Sequence, residues 1–127
     1  MEELVIRHGA SGDITVLRLE GKLDGTTSAA LEQAIDAALA GGRRKLLVAM
    51  PGVTTVTSAG WGLLISVTKE LKAQGGALAV ADLKPQVKYS YDMLRIKSLV
   101  AAHGSETEAA EALRGGHDEV AGERTGE

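Results

Sequence analysis

Two short, continuous apolar runs constrain the fold of this chain more than any other feature. They cover residues 46–50, directly after Lys45, and 77–81, and between them lies a segment of helical periodicity that ends at Gly75-Gly76. A run that is apolar at every position is typical of a strand buried on both faces, at the centre of a parallel or mixed sheet. The sequence therefore predicts an α/β fold in which helices cover such strands.

The rest of the chain continues this alternation. Before the first run, a predicted hairpin turns at residues 9–13, and Pro51-Gly52 is predicted to end the central strand. Pro85 favours a first helical turn, and Ser105 with Glu108 forms a capping box that opens the last helix. The predicted order is β-β-α-β-α-β-α-β-α, with strands at 4–7, 14–19, 45–50, 77–81 and 96–101, and helices at 26–40, 58–73, 85–94 and 105–113.

This order predicts a mixed central sheet of about four to five strands with about four helices. Residues 1–114 are predicted to form one domain, and the polar, glycine-containing residues 115–127 a disordered tail. Aromatic residues are scarce, so the core is expected to be aliphatic. The helix faces predicted to be buried carry Leu31, Ile35, Ala38 and Leu39 in the first helix, Leu63 or Leu64, Val67 and Leu71 in the second, and Val87, Tyr91 and Leu94 in the third.

Composition argues against several functional classes. The chain has no cysteine, which excludes thiolate metal sites and cysteine nucleophiles. The net charge of -3 argues against a nucleic-acid partner, and the short apolar runs argue against membrane insertion. A soluble cytoplasmic protein is therefore expected. No metal, cofactor or catalytic residue is predicted, since the three histidines lack ligand spacing and no phosphate loop or nucleophile elbow is present.

One segment stands out, at residues 56–62. Thr57 and Ser58 lie where a loop enters a predicted helix, and Gly60 and Gly62 follow in its first turns. Such an entrance offers free backbone N–H groups and positive potential, so it suits a docking partner or an attached phosphate. The alternative is purely structural: Ser58 is the N-cap, and the glycines relieve crowding.

Three stretches resemble one known family. Residues 16–24 end in Gly-Lys-Leu-Asp, residues 45–62 contain Thr57-Ser58-Ala59-Gly60-Trp61-Gly62, and residues 75–87 combine a Gly-Gly strand with Leu83-Lys84-Pro85. Their order and spacing are similar to those of STAS domains of the anti-sigma factor antagonist kind. The resemblance covers residues 4–113.

The resemblance implies a function without catalysis. Family members capture a protein partner, often an anti-sigma factor that is also a Ser/Thr kinase, and phosphorylation of the Ser before the helix-start Gly blocks capture. By this resemblance the partner-binding residues are expected to be Asp24, Gly25, Thr26, Thr55, Thr57, Ser58, Ala59, Gly60, Trp61 and Gly62. Trp61 is expected either to be an exposed interface anchor or to lie partly buried in the core.

The sequence departs from the family pattern at the switch. Ala59 occupies the usual phosphoacceptor position, Thr57 that of an Asp, and Ala49 that of a second Asp. Ser58 is therefore the first candidate phosphoacceptor and Thr57 the second, or the switch is absent. Ser58-Ala59-Gly60 is also similar to the Thr-Ala-Gly of STAS subunits that brace the ATPase of lipid-transport ABC complexes. A scaffold subunit of a larger signalling assembly is a third possibility.

Overall fold

A computed structural model of the chain describes residues 4–115. Within these residues, five strands and four helices follow one another in the predicted order. The strands are β1 Val5–Ser11, β2 Ile14–Leu23, β3 Lys45–Val56, β4 Ala77–Ala81 and β5 Ala101–His103, and the helices are α1 Ser28–Ala40, α2 Ser58–Ala73, α3 Pro85–Met93 and α4 Glu106–Arg114. A 3-10 turn at Ile96–Ser98 precedes β5.

The strands form one sheet in the order β1-β2-β3-β4-β5. β1 and β2 are antiparallel across a tight turn, and every later neighbour is parallel. The predicted mixed α/β sheet with four helices is therefore confirmed. The carboxyl ends of β2, β3 and β4 all lie at the same edge of the sheet, because parallel strands point the same way.

Alternation along β3 divides the core in two. The side chains of Leu46, Val48 and Met50 lie on the face of the sheet that α1, α2 and α3 cover. Leu47 and Ala49 contact the opposite face, which α4 covers with Ala109, Ala110 and Leu113. A strand between two helical layers is apolar at every position for this reason.

β3 corrects the prediction that Pro51-Gly52 ends the central strand. The strand continues through both residues to Val56, still paired with β2. Two register shifts relative to β2, between Arg18 and Glu20 and between Gly21 and Lys22, accommodate the extra residues. Pairing with β4 ends at Ala49, so the second half of β3 has a free side where a residue without an N–H is tolerated.

Smaller corrections concern element ends. α1 begins at Ser28 instead of 26, and the last strand lies at 101–103 instead of 96–101, since Ile96 packs into the core from the 3-10 turn. Leu94 is the C-cap of α3 and is exposed, so it does not share the buried face of Val87 and Tyr91. The predicted disordered tail falls almost wholly on residues 116–127, outside the described residues.

The start of α4 confirms Ser105 as the N-cap, while Glu108 reaches back to the residue before the N-cap and not to the N-cap N–H of a standard capping box. The Ser105 hydroxyl oxygen accepts a hydrogen bond from the Glu108 N–H at 3.1 Å, and the Glu108 carboxylate accepts one from the Gly104 N–H at 3.2 Å. Arg18 of β2 donates two hydrogen bonds to the Glu106 carboxylate, at 2.8 and 3.0 Å, and ties the helix start to the sheet. None of the helices within residues 4–115 combines the length and apolarity that crossing a membrane requires.

Candidate functional site

The candidate site lies where β3 ends and α2 begins. Thr57, in extended conformation, is the N-cap of α2, and Ser58 is the first helical residue. This corrects the assignment of Ser58 as N-cap. Within residues 4–115 the Thr57 Oγ1 atom is buried and has no hydrogen-bond partner, whereas Ser58 is exposed. Of the two candidate phosphoacceptors, Ser58 therefore presents its side chain to solvent.

The carboxyl end of β2 holds this helix start in place. The Thr57 N–H donates to the Leu23 carbonyl oxygen at 3.0 Å. A Cβ atom added to Gly60 would lie 2.8 Å from that same oxygen, 2.8 Å from Leu23 Cγ and 3.0 Å from Val56 Cγ1. Real Cβ atoms do not approach this closely, so α2 reaches β2 only because residue 60 is glycine.

Gly62 differs from Gly60 in its surroundings. A Cβ atom added there would meet nothing within 4 Å. The interpretation that glycine relieves crowding therefore applies to Gly60, and the interpretation that it leaves the surface bare applies to Gly62.

The other side of the site is a turn formed by residues 24–27, which we call the Asp24 turn. The Asp24 Oδ1 atom accepts hydrogen bonds from the N–H groups of Thr26 and Thr27, at 2.9 and 3.0 Å. The Thr27 hydroxyl accepts from the Asp24 N–H at 3.0 Å and donates to the Lys22 carbonyl oxygen at 2.7 Å. The hydrogen bond from the Thr27 N–H is the main reason that the pKa of Asp24 lies below its ordinary value. Because residues 24–27 form this turn, α1 begins at Ser28, two residues after its predicted start.

The structure brings the predicted partner-binding residues together. The turn and the helix start lie side by side, since a Cβ atom added to Gly25, which has none, would come within 3.9 Å of the Ala59 Cβ. Asp24 and Thr57 are partly buried, and Gly60 and Trp61 are buried beneath them. The exposed members are Gly25, Thr26, Thr55, Ser58, Ala59 and Gly62.

Trp61 lies in the core and is not an exposed anchor. Its side chain is 1% exposed. Its indole N–H donates to the Ser90 hydroxyl at 3.1 Å, and its ring centroid lies 5.6 Å from that of Tyr91 at a tilt of 53°. A tryptophan can be buried without the cost of an unpaired polar group when its N–H donates a hydrogen bond of this kind. Sequence reasoning missed Ser90, because nothing local marks a hydrogen bond to a residue 29 positions away.

The chemistry available here is that of recognition. The ten predicted site residues contain one carboxylate, four hydroxyls and otherwise small or buried side chains. They hold no histidine, lysine or second carboxylate that could transfer a proton to a nucleophile. No cluster of three metal-ligating side chains occurs within residues 4–115. What the site offers is a hydroxyl at a positive helix end, beside an acidic turn.

Comparison with known proteins agrees with this architecture. The family model of the STAS domain matches residues 6–110. An anti-sigma F factor antagonist of Paenibacillus polymyxa is 26% identical over 103 residues, which cover 79% of this chain and 86% of the relative.

Solved structures show the same fold. An anti-sigma factor antagonist from Mycobacterium paratuberculosis superimposes with a TM-score of 0.79 at 21% identity, over 87% of this chain and 94% of the other. The Bacillus cell fate determinant SpoIIAA in its phosphorylated form gives a TM-score of 0.65 at 20% identity, over 87% of this chain and 100% of that one. The chain therefore belongs to the STAS domain family, as a member similar to the anti-sigma factor antagonists.

Proposed function

We propose that this protein is a non-catalytic regulator that acts in the cytoplasm by capturing a protein partner, an anti-sigma factor of the Ser/Thr kinase type. One observation carries the proposal: the exposed start of α2 and the Asp24 turn form one continuous surface. Relatives that bear the name anti-sigma factor antagonist support it, and so does the lack of an acid–base pair in the site.

The proposed contact surface combines a bare centre with polar margins. Ala59 and Gly62 carry little or no side chain, so a partner backbone can approach α2 closely. Thr26, Thr55 and Ser58 supply exposed hydroxyls that can donate and accept hydrogen bonds at the edges. The buried Trp61 supports this surface from below and does not contact the partner directly.

We propose Ser58 as the phosphoacceptor of an atypical switch. Its side chain is exposed, whereas the Thr57 hydroxyl oxygen is buried and would need an opening of the helix start to reach a kinase. A phosphate on Ser58 adds about two negative charges and three acceptor oxygens to the middle of the contact surface. The positive end of α2 stabilises that charge within the free protein, while a partner matched to a neutral surface loses affinity.

The test uses affinity capture with matched variants of the full chain. Wild type, S58E and S66E are immobilised and exposed to extract of the native host, and captured proteins are identified by mass spectrometry. Ser66 is also exposed on α2 but lies two turns beyond Ser58, so S66E controls for the added charge. We expect wild type and S66E to retain a kinase-type anti-sigma factor, and S58E to retain roughly a tenth as much or less. Equal capture by all three variants would refute the role of Ser58.

Phosphorylation is tested separately from capture. Protein isolated from the native host in several growth states is digested, and peptides that contain residues 57–62 are examined by mass spectrometry. Phosphate on Ser58 supports the switch. Unmodified peptides in every state, together with intact capture, mean that the antagonist works without this switch.

A second function is favoured by one feature of the site. Ala59 is exposed and has no hydroxyl at the position of the family's phosphoacceptor, which suits a subunit that braces a transporter ATPase permanently. The same capture experiment separates the two functions, because recovery of a transporter ATPase, insensitive to S58E, replaces the first proposal with the second.

A further inference from the structure

The exposed apolar side chains of this molecule are concentrated in one place. Among the described residues, the large apolar side chains that are exposed comprise Val5 and four residues between positions 89 and 99. We call these four the α3 patch: Tyr89, 66% exposed, Met93, 62%, Leu94, 52%, and Leu99, 40%. Tyr89 and Met93 are one helical turn apart and share a face of α3. Large apolar side chains exposed close together in this way mark interaction sites in many proteins.

A hollow adjoins the patch. It has a volume of about 570 Å³ and lies between the last turn of α3 and the 3-10 turn, where Asp92, Met93, Arg95, Lys97 and Ser98 line it. Arg95 makes this shape possible, since its φ of 57° reverses the chain direction directly after the helix. The hollow is large enough for a side chain of a partner to enter beside Met93.

The charge around the patch is opposite in sign to that of the chain. Residues 84–99 contain four cationic residues, Lys84, Lys88, Arg95 and Lys97, and one anionic residue, Asp92, so they carry +3 while the whole chain carries -3. Lys88 pairs with Asp92 at 3.1 Å. Within residues 4–115, no ion pair engages Lys84, Arg95 or Lys97. Three positive charges on the segment that carries the patch therefore have no ion-pair partner among the described residues, and two of them, Arg95 and Lys97, line the hollow.

We propose that the α3 patch docks an acidic amphipathic helix of a protein partner. Apolar residues spaced along one face of that helix would contact Tyr89, Met93 and Leu94, and its flanking Asp and Glu residues would meet Lys84, Arg95 and Lys97. Methionine suits such a surface, because its flexible side chain adapts to the partner.

The shape favours a helix over an anionic bilayer. A bilayer also attracts a basic, apolar surface, but the hollow beside Met93 can receive one projecting side chain, which a helix presents at a fixed position and a fluid bilayer does not. The patch lies outside the residues proposed for partner capture at the start of α2. The proposal for the patch can therefore be tested independently of the proposed function. Trp61 and Ser90 connect the two surfaces through the core without belonging to either.

The test is a differential selection with the full chain. A displayed library of helix-forming 16-residue peptides is selected on wild type and, in parallel, on the double variant M93S/L94S. Val5 is exposed on β1 at the other edge of the sheet, so V5S is the matched control for loss of an exposed apolar side chain. K97E tests charge, with K69E on α2 as its control. Circular dichroism establishes that each variant is folded.

We expect peptides enriched on wild type to carry apolar residues at helical spacing with Asp or Glu beside them. The best of them should bind M93S/L94S about tenfold or more weakly, and K97E about fivefold more weakly, while V5S and K69E bind like wild type. Added salt should weaken the interaction.

Three results would overturn the proposal. The first is a lack of any peptide that distinguishes wild type from M93S/L94S. The second is enrichment of basic or uncharged peptides. The third is patch-dependent binding to vesicles of equal parts phosphatidylglycerol and phosphatidylcholine, which would assign the patch to a lipid surface.

Discussion

Gly60 and Gly62 lie on the same helix and have opposite structural roles, so substituting each with alanine is the sharpest test of how α2 is held. In a helix interior, Gly→Ala is worth up to about 1 kcal/mol in favour of the helix. At Gly62 nothing opposes this gain, because a Cβ atom would meet nothing within 4 Å. G62A is therefore expected to stabilise the protein by roughly 0.5–1 kcal/mol.

At Gly60 the same gain is outweighed. The added Cβ would lie 2.8 Å from the Leu23 carbonyl oxygen, which already accepts the hydrogen bond from Thr57. Because this neighbour is backbone, α2 or β2 must shift, and overpacking of this kind typically costs about 1–3 kcal/mol. With the upper half of that range and the helical gain subtracted, G60A is expected to destabilise the fold by about 1–2 kcal/mol.

Urea unfolding followed by Trp61 fluorescence measures both variants. Trp61 is the only tryptophan and is buried, so its emission reports the native core. The two midpoints should move in opposite directions from wild type, with the slope of the transition unchanged. If G60A is as stable as G62A, the close approach of α2 to the end of β2 is wrong, and with it the shape of the candidate site.

Three further predictions test individual contacts. Y91F removes a buried hydrogen bond of 2.6 Å to the Val100 carbonyl oxygen and should cost about 1–2 kcal/mol in urea unfolding, while Y89F at an exposed position should cost nothing measurable. Burial raises the pKa of Tyr91 to about 12, so the folded state holds this proton more tightly, and stability should fall as the pH rises from 10 toward 12 in wild type but less in Y91F. S105A removes the N-cap of α4 and should cost about 1 kcal/mol, a loss that S105D largely avoids. The pKa of Asp24 is lowered, so its carboxylate stabilises the fold at pH values above the ordinary pKa of 3.8, and this contribution is lost as the pH falls below 3.8. On acidification, NMR should show the Asp24 carboxyl taking up its proton at a lower pH than an ordinary Asp. An ordinary Asp titration would contradict the hydrogen bonds of the Asp24 turn.

Much of the fold could be predicted because its signals are local. The helix at 58–73 and the strand at 77–81 have the predicted bounds, since a glycine pair separates two different apolar periods. The N-cap hydrogen bond of α4 also needs only Ser105 and Glu108. Where a signal and its structural cause lie within a few residues, sequence reasoning succeeds.

The errors share the opposite cause. Pro51-Gly52 does not end β3, because β2 on one side keeps pairing while β4 on the other has already ended. The apolar residues after Leu94 predict a strand, but Ile96 reaches the core from a 3-10 turn. The two alternatives left open for Trp61 are decided in the same way, because Ser90, far along the chain, accepts the hydrogen bond of its buried N–H. In each case a neighbour distant in sequence decides between two locally acceptable structures.

The two glycines also show that a sequence motif can locate a site without telling which of its residues the fold requires. Both belong to one motif. Only glycine fits at position 60, because the backbone of Leu23 lies against it, whereas a Cβ atom added to Gly62 would meet nothing within 4 Å. The contact at Gly60 brings Ala59 beside Gly25 and thereby joins the helix start to the Asp24 turn. If the proposed partner capture takes place on this surface, a substitution that separates α2 from β2 weakens stability and capture together, whereas S58E adds charge on an exposed side chain and weakens capture alone. Measured side by side, G60A and S58E separate the architecture of this surface from its chemistry.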